Sequence, residues 1–217
     1  MVKLQLAMDT LDCDEAMKLA ACVAPYADIL EAGTPLIKSV GINIVRKLKL
    51  TYPEKIVLAD LKSSDVGAYE ANMAFTAGAD IVTTQGITTF ATICEVQREA
   101  DKWKRRAEVD MTGVKDVITR AKEVKEAGVS LVLYHRSIDE ELTQGVLWDE
   151  KAVNTVREMC NLGLDVAIAG GINYGILPLL RGLPIYGIVI GRGITARPDP
   201  AQTAEKIAQR IRDIWPA

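Results

Sequence analysis

Asp60 and Lys62 stand two residues apart in the stretch KIVLADLK, and in a β-strand that spacing sets both side chains on one face. Glu31 lies near the end of an earlier apolar run, ADILEAG. With that run one strand away, the two carboxylates converge on a hard cation such as Mg²⁺, with Lys62 beside it as a fixed positive charge. Such a set suits an oxyanion or an enolate, where negative charge develops during reaction. Taken alone, an Asp-x-Lys pair arises often by chance. His135 is the only histidine and ends the run VSLVLYH, while Asp110 closes AEVD in the run before it. A lone histidine is more often structural than catalytic, but these two positions can share a proton transfer.

The elements that carry these residues alternate. Short apolar runs at 3–9, 27–33, 55–62, 79–86, 107–111, 129–135, 165–171 and 187–193 are separated by stretches of helical period, among them 13–24, 36–50, 67–77, 114–126 and 200–213. Most of the short runs are continuously apolar until their last residues, the pattern of parallel strands covered on both faces. Gly78 and Gly128 read as left-handed helix ends, and Pro198 and Pro200 open the last helix. Eight β/α units without a polar linker predict a (β/α)8 TIM barrel forming one domain over 1–217. A doubly wound sheet is the competitor, but TLDCDEA follows Asp9 where a glycine-rich turn would be expected.

In such a barrel the active site lies at the C-terminal ends of the strands. Asp9, Glu31, Asp60, Lys62, Asp110 and His135 all fall there, together with Ala169-Gly170-Gly171 and Gly191-Arg192-Gly193. Helix capping accounts well for Asp9 or Asp65 singly, but not for the whole set, nor for Lys62 or His135. The two glycine turns follow the seventh and eighth strands, where barrels commonly hold phosphate through backbone N–H groups. Arg192 adds a charge-assisted contact. The plainer alternative is a pair of sharp glycine turns.

Composition limits the rest. The chain has 217 residues, a formal net charge of -3 and 49% apolar residues. A mildly acidic chain lacks the basic footprint of a nucleic-acid binder. No apolar run reaches a membrane-spanning length of about 18 residues, and MVKLQLAMDT has no signal-peptide form. Four dispersed cysteines without a CxxC pair indicate no zinc or redox motif, and a reduced cytoplasmic setting is expected. The cysteines, Met73 and Phe75 read as buried, and the basic run 102–106 as a solvated helix end.

Taken in order, LQLAMD, DILEAGTPLI, VLADLKSSDVG, LYHRSIDEE, AIAGGI and IGRGIT resemble the orotidine 5'-phosphate decarboxylase suprafamily. Within it they resemble the branch of 3-keto-L-gulonate 6-phosphate decarboxylase and 3-hexulose-6-phosphate synthase. The DxKxxDxG element, here Asp60, Lys62, Asp65 and Gly67, is its specific part. The resemblance implies Mg²⁺ on Glu31 and Asp60, and a cis-enediolate stabilised by Lys62. It implies Asp9 on the substrate's polyol, phosphate on Gly171, Gly191 and Arg192, and proton delivery or removal by His135. Asp65 would reach the neighbouring subunit's site, making the enzyme a homodimer with shared active sites.

The resemblance leaves two reactions on the same enediolate. One is decarboxylation of 3-keto-L-gulonate 6-phosphate to L-xylulose 5-phosphate; the other is aldol addition of formaldehyde to D-ribulose 5-phosphate. Tyr134-His135-Arg136-Ser137, Gly145 with Trp148, the stretch 177–185, Arg192 and Ile214-Trp215 lean to the decarboxylase. Asp110, Ile138 and Ala169 match the synthase, where the decarboxylase pattern has glutamate, arginine and threonine. Decarboxylation is the reading adopted from the sequence, with the synthase as alternative. A non-catalytic sugar-phosphate-binding barrel and a phosphate-binding isomerase stand further behind.

Overall fold

A computed structural model describes residues 1–145 and 148–216. Eight parallel strands close into a barrel in chain order, with β1 (Lys3–Met8) pairing both β2 (Ile29–Ala32) and β8 (Gly187–Ile190). Between them run β3 (Ile56–Ser63), β4 (Ile81–Gln85), β5 (Arg106–Asp110), β6 (Leu131–His135) and β7 (Asp165–Ala169). The (β/α)8 barrel expected from the alternating pattern is the observed fold.

The outer helices are α1 (Cys13–Val23), α2 (Thr34–Val40), α3 (Asn43–Thr51), α4 (Gly67–Ala77) and α5 (Phe90–Trp103). They continue with α6 (Val117–Glu126), α7 (Ile138–Gln144), α8 (Glu150–Asn161), α9 (Arg192–Thr195) and α10 (Pro200–Ile214). Local chemistry starts and stops them. Asp12 caps α1 by accepting from the Asp14 and Glu15 N–H groups, and Asp199 caps α10 just ahead of Pro200. Gly78 ends α4 at φ 104°. The helix expected over 36–50 is two helices, because Gly41 at φ 78° turns the chain between α2 and α3.

Most apolar side chains pack between the helices and the outer face of the barrel. Inside it, Ile29, Leu58, Ile81 and Leu131 form one buried apolar group and Ala7, Leu133, Ala167, Ala169 and Val189 another. At the N-terminal end of the strands the Tyr186 ring lies under the Lys3 ammonium, 4.2 Å from its centroid, and under the Arg106 guanidinium at 5.0 Å. The barrel is therefore open for chemistry at one end.

Several surface expectations change. Phe75 is buried, but Met73 is exposed on the outer side of α4. Cys22 is exposed and Cys13, Cys94 and Cys160 are half-buried, so the thiols do not read as core. The basic run is more than a solvated helix end: Lys102 pairs with Glu99, Arg105 with Asp80, and Arg106 with Asp165.

Candidate active site

The C-terminal ends of the strands surround a cavity of about 580 Å³ lined by Asp9, Glu31, Asp60, Lys62, His135 and Arg192, among others. Its floor is built by the chain's alternation in β3. Asp60 and Lys62 share a face, and the ladder to β4 slips between Ala59 and Ser63. Lys62 takes a left-handed backbone, φ 49°, and its N–H donates to Thr83 Oγ1 at 2.9 Å. A non-glycine residue at positive φ is strained, and tertiary contacts must hold it there. Here the strain aims an ammonium into the cavity.

Lys62 Nζ lies 3.2 Å from Asp60 Oδ2 and donates to Asp110 Oδ2. Burial works against its charge, yet Asp60, Asp110 and Glu31 outweigh burial and hold the ammonium well above its ordinary range. Asp110 Oδ2 also meets His135 Nδ1 at 3.0 Å, and its Oδ1 accepts from the Thr112 N–H and hydroxyl at 2.8 and 2.6 Å. Burial would raise the Asp110 carboxyl, but His135 and Lys62 overcome it and hold it well below the usual range. Asp110 is 1% exposed, behind Lys62 and His135 rather than on the cavity wall. Its contacts toward the cavity are those two side chains. With Nδ1 on Asp110, the His135 Nε2 is the nitrogen left to exchange a proton with a ligand.

Two hydroxyls fix Asp60: Thr83 donates to Oδ1 at 2.7 Å and Thr34 to Oδ2 at 2.7 Å. Gln5 donates to Glu31 Oε2 at 2.7 Å. Burial, and then the charge of Asp60, push the Glu31 carboxyl well above its ordinary value. Two buried carboxylates that repel one another at a cavity wall match what a divalent cation relieves. Among the described residues no group of three or more His, Cys, Asp or Glu side chains forms a fuller ligand set. Two carboxylates with the rest left to water and substrate suit Mg²⁺, which rarely uses an all-protein cage.

The far end of the cavity is made by backbone. Gly170 and Gly171 have φ 95° and 65°, and a Cβ on Gly170 would stand 2.2 Å from the Arg136 carbonyl oxygen. The Gly170 carbonyl accepts from Trp148 Nε1 at 2.8 Å. Trp148 in turn packs against the Tyr134 ring at 5.8 Å and lies under the Arg136 guanidinium at 5.7 Å. The Tyr134 and Arg136 of the sequence motif therefore support the glycine turn. Arg192 is half in solvent and faces Glu141. Ile138 and Ala169 line the same cavity.

The barrel thus brings together Asp9, Glu31, Asp60, Lys62, His135, Ile138, Ala169, Gly171, Gly191 and Arg192, with Asp110 behind them. Asp65 is the exception. It is exposed, its Oδ1 accepts from the Val66 N–H at 2.8 Å, and it does not line the cavity of its own chain. Neither Asp9 nor Asp65 is a helix cap: Asp12 caps α1, and Val66 precedes α4 without a side-chain bond. Sequence reasoning missed Thr34, Thr83, Gln5 and Glu141. The available signal was a polar residue at an inward position of an apolar strand, as Gln5 and Thr83 are.

Comparison with known proteins identifies the family. Residues 2–207 match the orotidine 5'-phosphate decarboxylase / HUMPS family. The chain is 39% identical over 212 residues to 3-hexulose-6-phosphate synthase of Bacillus subtilis, covering 97% of this chain and 99% of that protein. It is 33% identical over 212 residues to 3-keto-L-gulonate-6-phosphate decarboxylase UlaD of Escherichia coli, covering 98% and 97%. A ligand-bound crystal structure of KGPDC from Streptococcus mutans superposes with a TM-score of 0.95 at 31% identity, covering 99% of both chains. The chain therefore belongs to the orotidine 5'-phosphate decarboxylase / HUMPS family, and is a lyase of its sugar-phosphate branch.

Proposed function

We propose that this enzyme decarboxylates 3-keto-L-gulonate 6-phosphate to L-xylulose 5-phosphate through a cis-enediolate. The observation that carries the enediolate is the Lys62 ammonium, held charged between Asp60 and Asp110 at the cavity floor. As CO₂ leaves, negative charge appears on the substrate oxygens, and a fixed cation there lowers the barrier without reorganising. His135, oriented by Asp110 through Nδ1, delivers the proton that completes the product, directly or through a water. Asp9 at the rim receives the polyol hydroxyls, and the Gly171, Gly191 and Arg192 end receives the phosphate. Mg²⁺ held by Glu31 and Asp60 would supply Lewis-acid polarisation of the reacting oxygens. Tyr134, Arg136, Trp148 and Arg192 match the decarboxylase pattern in sequence, and this resemblance is why that reaction is put first.

The synthase is the second reading, and specific residues favour it. Ile138 and Ala169 leave the wall apolar beside the reacting end, which suits formaldehyde better than ordered water. Asp110 is one methylene shorter than the glutamate of the decarboxylase pattern, and the 39% identical relative is a synthase. The deciding experiment is a paired assay of the purified protein with Mg²⁺. One arm follows CO₂ from 3-keto-L-gulonate 6-phosphate; the other follows hexulose phosphate from ribulose 5-phosphate and formaldehyde. Dominant CO₂ release supports the proposal, and dominant aldol product replaces it with the synthase. Silence in both arms removes the enediolate assignment. Chelation with EDTA should abolish whichever activity is found, restored by Mg²⁺; activity in the chelated enzyme would refute the metal role.

The proposal includes a homodimer with shared sites. Asp65 stands away from its own cavity, beside an apolar face on which Val66, Tyr69 and Met73 are 60%, 78% and 39% exposed. Covering those side chains with a second copy would remove apolar surface from water and carry Asp65 toward a partner. The four cysteines, free in this structure, support a reducing, cytoplasmic setting. Among the described residues no helix is long and apolar enough to cross a membrane.

A further inference from the structure

The phosphate end of the cavity contains a charge that the proposed chemistry does not use. Glu141 lines that end, and its Oε2 stands 3.6 Å from the Arg192 guanidinium. The same carboxylate lies against Gly171, where a Cβ would be 3.4 Å from both its Cδ and its Oε2. Glu141 Oε2 is buried and has no hydrogen-bond partner among the described residues. A carboxylate in this position neutralises Arg192 and repels a phosphate dianion arriving at the glycine turns.

The element that carries Glu141 is loosely held. Helix α7 has seven residues and puts none of the described ones into the core. Its apolar side chains Ile138 and Leu142 are 39% and 70% exposed. Gly145 ends it in a left-handed turn at φ 62°. A short segment with so few buried contacts belongs to the low-stability end of a fold and moves at small cost.

We infer that Glu141 is an affinity-setting residue that acts as an internal anion. It holds Arg192 and fills the phosphate cradle while no ligand is bound, and it withdraws with α7 when a phosphorylated sugar enters. This rests on the reading of the two glycine turns as the phosphate site. Displacing Glu141 lowers the affinity for every phosphate, but only a sugar phosphate recovers that loss through Asp9, Lys62 and His135. Glu141 thereby sets affinity rather than selectivity: it weakens both ligands by the same factor, and free inorganic phosphate, which has the cradle alone to bind, is the first to fall to low occupancy.

The test is calorimetric titration of inorganic phosphate into the parent protein, three single variants and one double variant. Glu141→Gln and Glu141→Ala should each bind phosphate about tenfold more tightly, the effect of removing one partly screened like-charge contact. Arg192→Ala should bind about tenfold more weakly, and Glu141→Gln should gain less in that background because the pair is already broken. In turnover, Glu141→Gln should shift KM for the sugar phosphate downward by more than it changes kcat. Unaltered or weaker phosphate binding by both Glu141 variants, while Arg192→Ala still weakens it, overturns the role of Glu141. Phosphate binding indifferent to Arg192→Ala and to both Glu141 variants overturns the cradle and the internal anion together.

Discussion

Glu108 allows the electrostatics of the barrel interior to be measured directly. It lies on β5 two residues before Asp110, is 1% exposed, and has no hydrogen-bond partner for either carboxyl oxygen among the described residues. Burial, and then the charges of Asp110 and Asp60, push its carboxyl up to about 8 from an ordinary 4.5. The native state therefore keeps a proton that the unfolded chain releases near pH 4.5. Below that pH both states are protonated and nothing is lost. Between pH 4.5 and 8 stability falls as pH rises, and above pH 8 the full penalty of about 5 kcal/mol applies. Glu108→Gln keeps the shape without the ionisation. Its stability relative to the parent should be near zero at pH 4, about 3 kcal/mol in favour of the variant at pH 7, and about 5 kcal/mol at pH 9. Urea unfolding at the three pH values, followed by circular dichroism and tryptophan fluorescence, measures this difference. A gap that does not widen with pH, or a variant less stable at pH 9, would refute a buried neutral Glu108.

Three further outcomes are expected. Lys62→Ala should lower turnover by at least about 10²–10³-fold, the usual cost of losing a charge-stabilising donor, with the far-ultraviolet circular dichroism of the barrel retained; a variant of near-parent activity would end the enediolate role of Lys62. Asp65→Ala should be inactive, and mixing it with inactive Lys62→Ala under subunit exchange should recover activity through hybrid dimers with one intact site. No recovery in subunits demonstrated to exchange argues against shared sites. Gly170→Ala should destabilise the protein by about 1–3 kcal/mol or more and lower its melting temperature, because φ is 95° and the new Cβ would stand 2.2 Å from the Arg136 carbonyl oxygen. An unchanged melting temperature would mean that the turn adapts.

The barrel and the outline of its site are legible in the chain itself. Parallel strands covered on both faces must be apolar almost to their ends, so the eight runs stand out, and the polar residues that finish them mark the open end. Asp60 and Lys62 announce a shared face by their spacing. Glycines at the seventh and eighth strand ends mark sharp turns, and Gly170 and Gly193 leave no room for a Cβ beside the Arg136 and Ile172 carbonyls.

Other features depend on contacts between residues far apart in sequence, and no local pattern encodes them. The positive φ of Lys62 follows from a register slip against β4, which exists only once the two strands pair. That Asp110 stands behind the cavity wall, bridging Lys62 and His135, depends on the stagger among β3, β5 and β6. A strand's period of two says that Gln5, Thr83 and Glu108 share a face with inward neighbours, but closure of β1 on β8 decides what each one meets. Asp65 and Lys62 are three residues apart in sequence, yet the turn before α4 sends one outward and the other into the cavity. The sequence by itself determined the fold and the kinds of groups at its mouth. Tertiary structure decided which charges are paired, which are buried alone, and which carboxylate stands against Arg192, because those energies depend on distance and desolvation across the closed barrel.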